Sequence, residues 1–416
     1  MNQRSSEGFA NEPAVTHPPT TADVAPPAAA TDLTPQIRIG GLKIPTDTLR
    51  AYTMVFVLIG IWIIFTWATN GIFLEARNFS NLIRQTAVTG VLAVGMLMVI
   101  VTGQIDLSVG AVVGLTGGIS AIMLTWFGWG VGPALLAAVI LGLIIGAAHG
   151  ALVVYVNVPA FIVTLGGLLV WRGVIKGISQ GNTIPISSQS FKDIGQSYVA
   201  PVVGYAIMVL VVAAIMWLNL RRVRARQHYG LAQQSRMKTL ALIAIPSLVV
   251  IAFIIILNNY QGVPIPVLIL LAVALCGAFL MQNTTFGRYL YAIGGNPEAA
   301  HLSGINLRRH ILAVFCLMGA LAGVAGVIYT ARVGSGSPDA GVLLELDAIA
   351  ACVIGGASLM GGRGTVFGAC LGALFMASLD NGMSLKNVPD FMQDIVKGSI
   401  LVVAVGIDML GRRKGG

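Results

Sequence analysis

The sequence predicts an all-α polytopic membrane protein with about twelve transmembrane helices and both termini on the cytoplasmic side. Three observations carry that expectation. Of 416 residues, 56% are hydrophobic and only 10% charged, where soluble domains carry about a quarter charged residues. Apolar runs of about 20 residues, long enough to cross a bilayer as helix, recur along the chain. The net charge of +9 comes from Lys and Arg clustered between those runs, as in cytoplasmic loops, so it reads as topology rather than as affinity for nucleic acid.

Candidate spans lie near 51–70, 85–103, 107–127, 132–153, 160–178, 200–218, 239–257, 264–282, 311–331, 342–358, 366–383 and 391–410. The pair at 342–383 is joined by the short "SLMGGRGT". Four basic regions fix the orientation: Arg38, Lys43 and Arg50; "RRVRARQHYGLAQQSRMK"; Arg288 with Arg308 and Arg309; and the ending "GRRK". Six, two and four spans separate them in turn. Even numbers place all four on one side, and the positive-inside rule makes that side cytoplasmic. Arg77 and Arg84 are the exceptions.

The organisation that follows is a disordered cytoplasmic tail over 1–50, a transmembrane domain over 51–410 with a basic cytoplasmic loop at 219–238 and a cytoplasmic region at 283–310, and a basic cytoplasmic tail at 411–416. The first part contains "HPPTTADVAPPAAATDLTP", a Pro-, Ala- and Thr-rich stretch expected to be disordered. No signal peptide is evident, and the run from Ala51 reads as a retained first span. Cys276, Cys316, Cys352 and Cys370 lie in apolar or small-residue runs without metal or redox spacing, so they read as packing residues, with no metal site expected.

Glycines recur every four residues at Gly110, Gly114 and Gly118, at Gly142, Gly146 and Gly150, and at Gly364, Gly368 and Gly372. Each triplet reads as a helix-packing seam, since small residues let backbones approach closely in lipid. Charged groups at membrane depth are functional candidates by default. Asp106, with Ser108, opens the third span, and Glu345 and Asp347 open the tenth. Ile105-Asp106 and Leu346-Asp347 are followed at matching offsets by Val112 and Gly114, and by Val353 and Gly355. With one Asp toward the inner face and one toward the outer, this is the pattern of an inverted internal repeat. Two readings of these residues stay open: caps and structural pairs at helix starts, or a place on a solute path. Arg172 and Lys176, four apart, are expected to snorkel outward. His149 reads as a packing or interfacial residue rather than a proton carrier.

No phosphate loop, HExxH or GxSxG motif occurs, and no paired acids lie in a polar setting, so no catalytic residue is expected. Few ionisable groups fall at mid-membrane, where a proton- or sodium-coupled carrier usually has them. Energy should then arrive through a docking surface. The stretch "GGNPEAAHLSGIN", Gly294 to Asn306, supplies a candidate. Asn296 suits an N-cap, Pro297 the first helical position, Glu298 the positive end and Gly304 a helix stop.

Five stretches, "GQIDLSVGAVVGLTGG", "VPAFIVTLGGLLVWRGV", "TTFGRYLYAIGGNPEAAHLSGIN", "ELDAIAACVIGGASLMGGRGTVFGA" and "MASLDNGMSLKNV", together resemble the permease subunits of bacterial ABC sugar importers of the ribose/xylose type. The resemblance runs from about Ala51 to Asp408. The span pair around "RRVRARQHYG", with "QTAVTGVLAVGM" and "DIGQSY", is similar to the xylose branch, which implies D-xylose as solute. Ribose, another sugar, an autoinducer or a branched-chain amino acid are the alternatives within the superfamily, and a secondary carrier is the alternative outside it. The resemblance also implies a location in the bacterial inner membrane and three partners: a second permease copy, a cytoplasmic ATPase subunit that binds ATP and Mg, and a periplasmic sugar-binding protein. It implies no cofactor bound by this chain. It further implies that Gly287 to Asn306 is the coupling region seated on the ATPase, with Gly287, Arg288, Gly294, Gly295, Asn296, Pro297, Glu298, Ala299, Ala300, Ser303 and Gly304 as its residues.

Overall fold

A computed structural model describes residues 36–39, 42–229 and 235–413. The chain divides into two units between Leu49 and Arg50. In the first, β1 (Gln36–Ile39) pairs antiparallel with β2 (Leu42–Pro45). This corrects part of the expectation of disorder over 1–50, as does the helix that starts at Thr46; residues 1–35, 40 and 41 lie outside the described residues. The alternation in "QIRI" and "LKIP" favours strands there.

The remaining elements follow in chain order: α1 (Thr46–Ala68), α2 (Ala76–Val101), α3 (Val109–Thr125), α4 (Val131–Tyr155), α5 (Ala160–Ser179), β3 (Ile184–Pro185), α6 (Gln189–Gln196) and β4 (Tyr198–Val199). Next come α7 (Pro201–His228), α8 (Arg236–Asn258), β5 (Val263–Pro264), α9 (Ile265–Asn283), α10 (Thr285–Gly295) and α11 (Pro297–Leu302). The last are α12 (Leu307–Val333), β6 (Ser335–Gly336), α13 (Leu344–Ile354), α14 (Val366–Leu385) and α15 (Asp390–Arg413). Each expected span coincides with a helix. Among the described residues, eight helices are long and apolar enough to cross a membrane, α2, α4, α5, α7, α8, α9, α12 and α14, and the protein is a multi-pass membrane protein.

Two expectations about element length are corrected. The span at 342–358 is not a full helix, because α13 has 11 residues and rises about 16 Å, half a hydrocarbon core. The 219–238 segment is mostly helix rather than loop, since α7 runs on to His228 and α8 starts at Arg236. Arg, Ala and Gln are good helix formers and let the helix outrun its apolar part.

The core is built by exchange. α3 and α4 pack on α12, whereas α13 and α14 pack on α2. Two repeats of opposite direction would pack this way. The aligned acids nevertheless sit differently, Asp106 before the start of α3 and Asp347 inside the first turn of α13.

Glycines make the closest approaches. A Cβ on Gly142 would overlap the carbonyl of Gly319, and one on Gly146 the carbonyl of Phe315, while Gly150 faces Leu312 and Phe315. The α4–α12 seam therefore also needs Gly319 and Gly323, four apart on α12, which sequence reasoning had not singled out. Gly110 and Gly114 accommodate backbone from the segment between β6 and α13, and Gly118 receives Ile175 of α5. That segment runs down α3, with Gly336 beside Gly118, Ala340 beside Gly114 and Gly341 beside Gly110. Gly368 and Gly372 abut Gly355 and Ala351, joining α14 to α13. Gly364 does not belong to that helical triplet. It lies in the preceding loop with φ +143°, beside glycines of positive φ at 361 and 362.

The α4–α12 seam should tolerate no side chain. Gly146→Leu should destabilise the purified protein by about 2 kcal/mol or more, because overpacking forces two backbones apart. Gly166→Ala, where nothing lies within 4 Å of the new Cβ, should leave the thermal midpoint unchanged. Equal midpoints for both variants would show that the seam is not tight.

Candidate functional site

The break between α9 and α10 is capped by Thr284, whose Oγ1 accepts the Gly287 N–H at 3.3 Å. A Cβ on Gly287 would collide with Met281, so the turn requires glycine. At the next break Asn296 Oδ1 accepts the Ala299 N–H at 3.0 Å, Pro297 follows, and Glu298 lies in the first turn of α11. The Gly304 N–H donates to His301 at 2.9 Å and the Ile305 N–H to Ala300 at 3.1 Å. Gly304, at φ +83°, closes α11 as the left-handed residue of a helix stop. Asn306 then caps α12 through the Arg309 N–H, at 3.1 Å.

The two faces of this segment differ. Pro297, Glu298, Ala299, His301, Leu302 and Ser303 are exposed, as is Arg288. Leu302, 82% exposed, is an apolar side chain without cover on a polar helix, and sequence reasoning passed over it. Ala300, expected on the partner-facing surface, is buried against its own chain. With about 3.6 residues per turn, Ala300 and Leu302 cannot share a face.

At the end of α10, just before α11, most of the contacts are made by backbone. A Cβ on Gly294 would overlap the Val101 carbonyl and crowd Gly362 N. The Gly362 N–H donates to that Val101 carbonyl at 2.9 Å, and Tyr291 Oη–H donates to the Gly364 carbonyl at 2.8 Å. Nothing lies within 4 Å of a Cβ on Gly295. Beside α11 a cavity of about 750 Å³ separates the α4–α5 turn, including Asn157 and Pro159, from His301, Gly304 and Arg308, and Gln104 also lines it.

The loop that leaves Val101 carries Asp106. Its Oδ1 accepts the Ser108 N–H at 2.9 Å and Ser108 Oγ–H at 2.6 Å. Ser108 Oγ lies 3.3 Å from His149 Nδ1, and Trp171 Nε1–H donates to His149 Nε2 at 3.0 Å. Because an indole nitrogen can only donate, Nε2 accepts and the neutral ring carries its proton on Nδ1, aimed at Ser108. His149 is therefore a relay in a buried polar chain from α5 through α4 to the loop before α3. Asp106 and Ser108 are buried and line none of the cavities described here.

Glu345 and Asp347 belong to other clusters. Glu345 Oε2 lies against Gly110 and has no hydrogen-bond partner among the described residues. The opposing charge comes from Arg172. Arg172 does not snorkel outward as expected: its Nη1–H donates to Ala340 at 2.6 Å and to Pro338 at 3.2 Å. Sequence could not show that the chain after β6 descends beside α5 and offers those carbonyls. Lys176 pairs with Asp339 at 2.8 Å, on the same segment. Asp347 faces Lys397 at 3.4 Å, and Lys397 lies 3.0 Å from Asp380. Asp347, Asp394 and Lys397 line a cavity of about 300 Å³ between α13, α14 and α15. Lys397, Asp380 and Asp394 were legible as charges inside the last two spans, but their convergence was not.

Arg84 is also accounted for. Its guanidinium lies 5.3 Å from the Tyr198 ring centre, and it shares a cavity of about 460 Å³ with Arg332, Asn81, Gln196, Gln261 and Tyr260. Among the described residues no acid lines that cavity. It lies at the end of the helices opposite α11, beside the β4–β5 pair.

Two segments, 78–225 and 206–405, match the family model described as branched-chain amino acid transport system / permease component. The chain is 48% identical over 374 residues to the xylose transport system permease protein XylH of Escherichia coli K12, covering 90% of this chain and 95% of that one. Its identity to the XylH of Haemophilus influenzae is 47%, over 89% of this chain and 99% of that one. The ribose import permease protein RbsC of Escherichia coli K12 is 35% identical over 86% of this chain and 92% of its own length. No solved structure matches the chain.

Since both bonds to Asp106 end on one oxygen, an amide can replace the carboxylate. Asp106→Asn should keep most solute uptake and lose less than about 0.5 kcal/mol of stability, while Asp106→Ala, which leaves the buried Ser108 N–H and Oγ–H without their acceptor, should lose about 1–3 kcal/mol. Thermal unfolding and uptake at matched membrane levels check this. Abolished uptake in a fully expressed Asp106→Asn protein would show that the charge itself is required.

Proposed function

We propose, from the premise that the chain belongs to the permease component family of the branched-chain amino acid transport system, that it is the membrane-spanning subunit of an ATP-driven importer of D-xylose in the bacterial inner membrane. The family description names amino acids, but relatives at 47–48% identity are named for xylose, and the substrate follows those. Two copies form the permease, a separate ATPase binds ATP and Mg on the cytoplasmic side, and a periplasmic binding protein delivers the sugar.

One observation supports coupling most directly. α11 presents a capped, outward surface ending in the uncovered Leu302, and glycine-lined backbone contacts join its base to the loops at 101–103 and 361–364. A push on α11 reaches both loops with no flexible side chain between. The partner-facing residues are then Arg288, Pro297, Glu298, Ala299, His301, Leu302 and Ser303. Asn296 and Gly304 hold the helix ends, Gly287 the preceding turn, and Gly294 and Ala300 the inward face.

We assign the solute path to the face of α13 and α15. Asp394 and Lys397 open there onto a cavity beside Asp347, and charges at membrane depth face water or protein rather than lipid. A second copy covering this face would enclose the path. On the opposite side, Arg84 and Arg332, without an acid of their own, offer a site for carboxylates of the binding protein.

Leu302→Asp tests the coupling reading. In proteoliposomes with the ATPase and binding protein, the variant should insert normally but associate with the ATPase on the order of tenfold more weakly, losing sugar-stimulated ATP hydrolysis. Excess D-xylose should compete with labelled D-xylose for uptake by the parent, and ribose should not. Parental coupling by Leu302→Asp would remove α11 from the interface, and equal competition by ribose would overturn the choice of sugar.

A further inference from the structure

Between Val199 and Val263 the chain leaves the membrane core and returns to the same place. β4 and β5 pair there, Tyr198 opposite Pro264 and Val199 opposite Val263. The α7–α8 hairpin between them is thus closed at its base. Asn258 Nδ2–H adds a bond to the Pro201 carbonyl at 3.1 Å, and Gly204 packs on Asn258. α7 contributes one buried residue, Gly204, and packs chiefly on α8. α8 reaches the body through Ile254 and Leu257, near the base. Most of the rest is apolar and exposed.

The far end of the hairpin has a different chemistry. From Asn219 to Lys238 the sequence holds six Lys and Arg and no Asp or Glu, although the whole chain has 25 of the former and 16 of the latter. Arg221, Arg222, Arg224 and Arg226 extend α7 past its apolar part, and among the described residues none has an acidic partner. Arg221 instead lies 4.9 Å from the ring centre of Trp217, with Met216, Leu218 and Leu220 exposed around it. A Trp at the end of an apolar run marks the level of a bilayer surface.

The direction of the charges selects the partner. At about 100° per residue, Arg222 and Arg226 share one side of the helix and Arg221 and Arg224 another, roughly 150° apart. A flat protein surface could meet only some of them. A layer of headgroups surrounds the helix and meets them all, and guanidinium groups pair bidentately with phosphate.

We propose that the basic crest of the α7–α8 hairpin binds the phosphate headgroups of anionic phospholipids, making the hairpin a lipid-anchored side arm of the permease. The leaflet follows from the cytoplasmic orientation adopted above and rests on that reading. Juxtamembrane clusters of four to eight cations are attracted to anionic leaflets, and the attraction weakens with salt.

The test uses the full chain in neutral micelles, titrated with fluorescent phosphatidylglycerol and, in parallel, phosphatidylcholine. The parent should prefer phosphatidylglycerol, and high salt should reduce that preference. Changing Arg221, Arg222, Arg224 and Arg226 together to Gln should weaken phosphatidylglycerol binding on the order of tenfold or more, leaving phosphatidylcholine binding unchanged. Changing the same four to Lys should keep most of the preference. Both variants alter the surface and should unfold at the parental temperature in phosphatidylcholine. Unchanged phosphatidylglycerol binding by the Gln variant would overturn the proposal, and so would loss of ATPase co-purification with lipid binding intact. Orientation is read separately: a cysteine at Ser235, in a background without the native four, should react with an impermeant reagent only after lysis, and one at Ser190 in intact cells. Labelling of Ser235 from outside would overturn the leaflet without touching the headgroup measurement.

Discussion

The Val101 carbonyl is the constraint on which the inner half of the structure turns. It ends α2, accepts the Gly362 N–H at 2.9 Å, and lies against Gly294 so closely that no Cβ fits between them. Three segments distant in sequence meet there through backbone alone. Backbone atoms have no rotamers to absorb a displacement, so movement of one segment must be taken up by the other two. A junction built from side chains would be softer.

Each partner in that junction leads elsewhere. From Val101 the chain passes to Asp106 and Ser108, which the His149–Trp171 pair ties to α4 and α5. From Gly362 it passes to α13 and α14, where Asp347 and Asp380 face Lys397 of α15. From Gly294 it passes to α11. Exchange packing, α3 and α4 on α12 with α13 and α14 on α2, makes these routes part of one body. Proposed coupling and the proposed solute path thus share a single mechanical origin.

Much of this was legible because it is local. Composition and run length give the spans, and the Asn296, Pro297 and Gly304 signals act within a few residues of themselves, so the sequence shows α11 directly. Glycine spacing shows that Gly142 and Gly146 face a close neighbour, but not that the neighbour is Gly319. Partners fixed only by the fold stayed hidden. Arg172 reads as a snorkelling cation until the chain after β6 is seen descending beside it. Gly364 matches a helical spacing by coincidence and belongs to a loop of positive φ. Ala300 and Leu302 change roles because a six-residue helix has too few turns to reveal which face is covered.

The most direct test of the junction compares two adjacent glycines of the same segment. Gly294→Ala places a methyl group on the Val101 carbonyl, whereas Gly295→Ala places one in open space. Sugar-stimulated ATP hydrolysis and uptake would be measured for both in the assembled transporter, at matched membrane levels and ATPase content. Gly294→Ala should still bind the ATPase but lose coupled uptake on the order of tenfold or more, as a wedge of about 2 kcal/mol would give, while Gly295→Ala stays at the parental rate. Parental uptake by Gly294→Ala, or equal losses in both variants, would contradict a backbone junction as the carrier of the push.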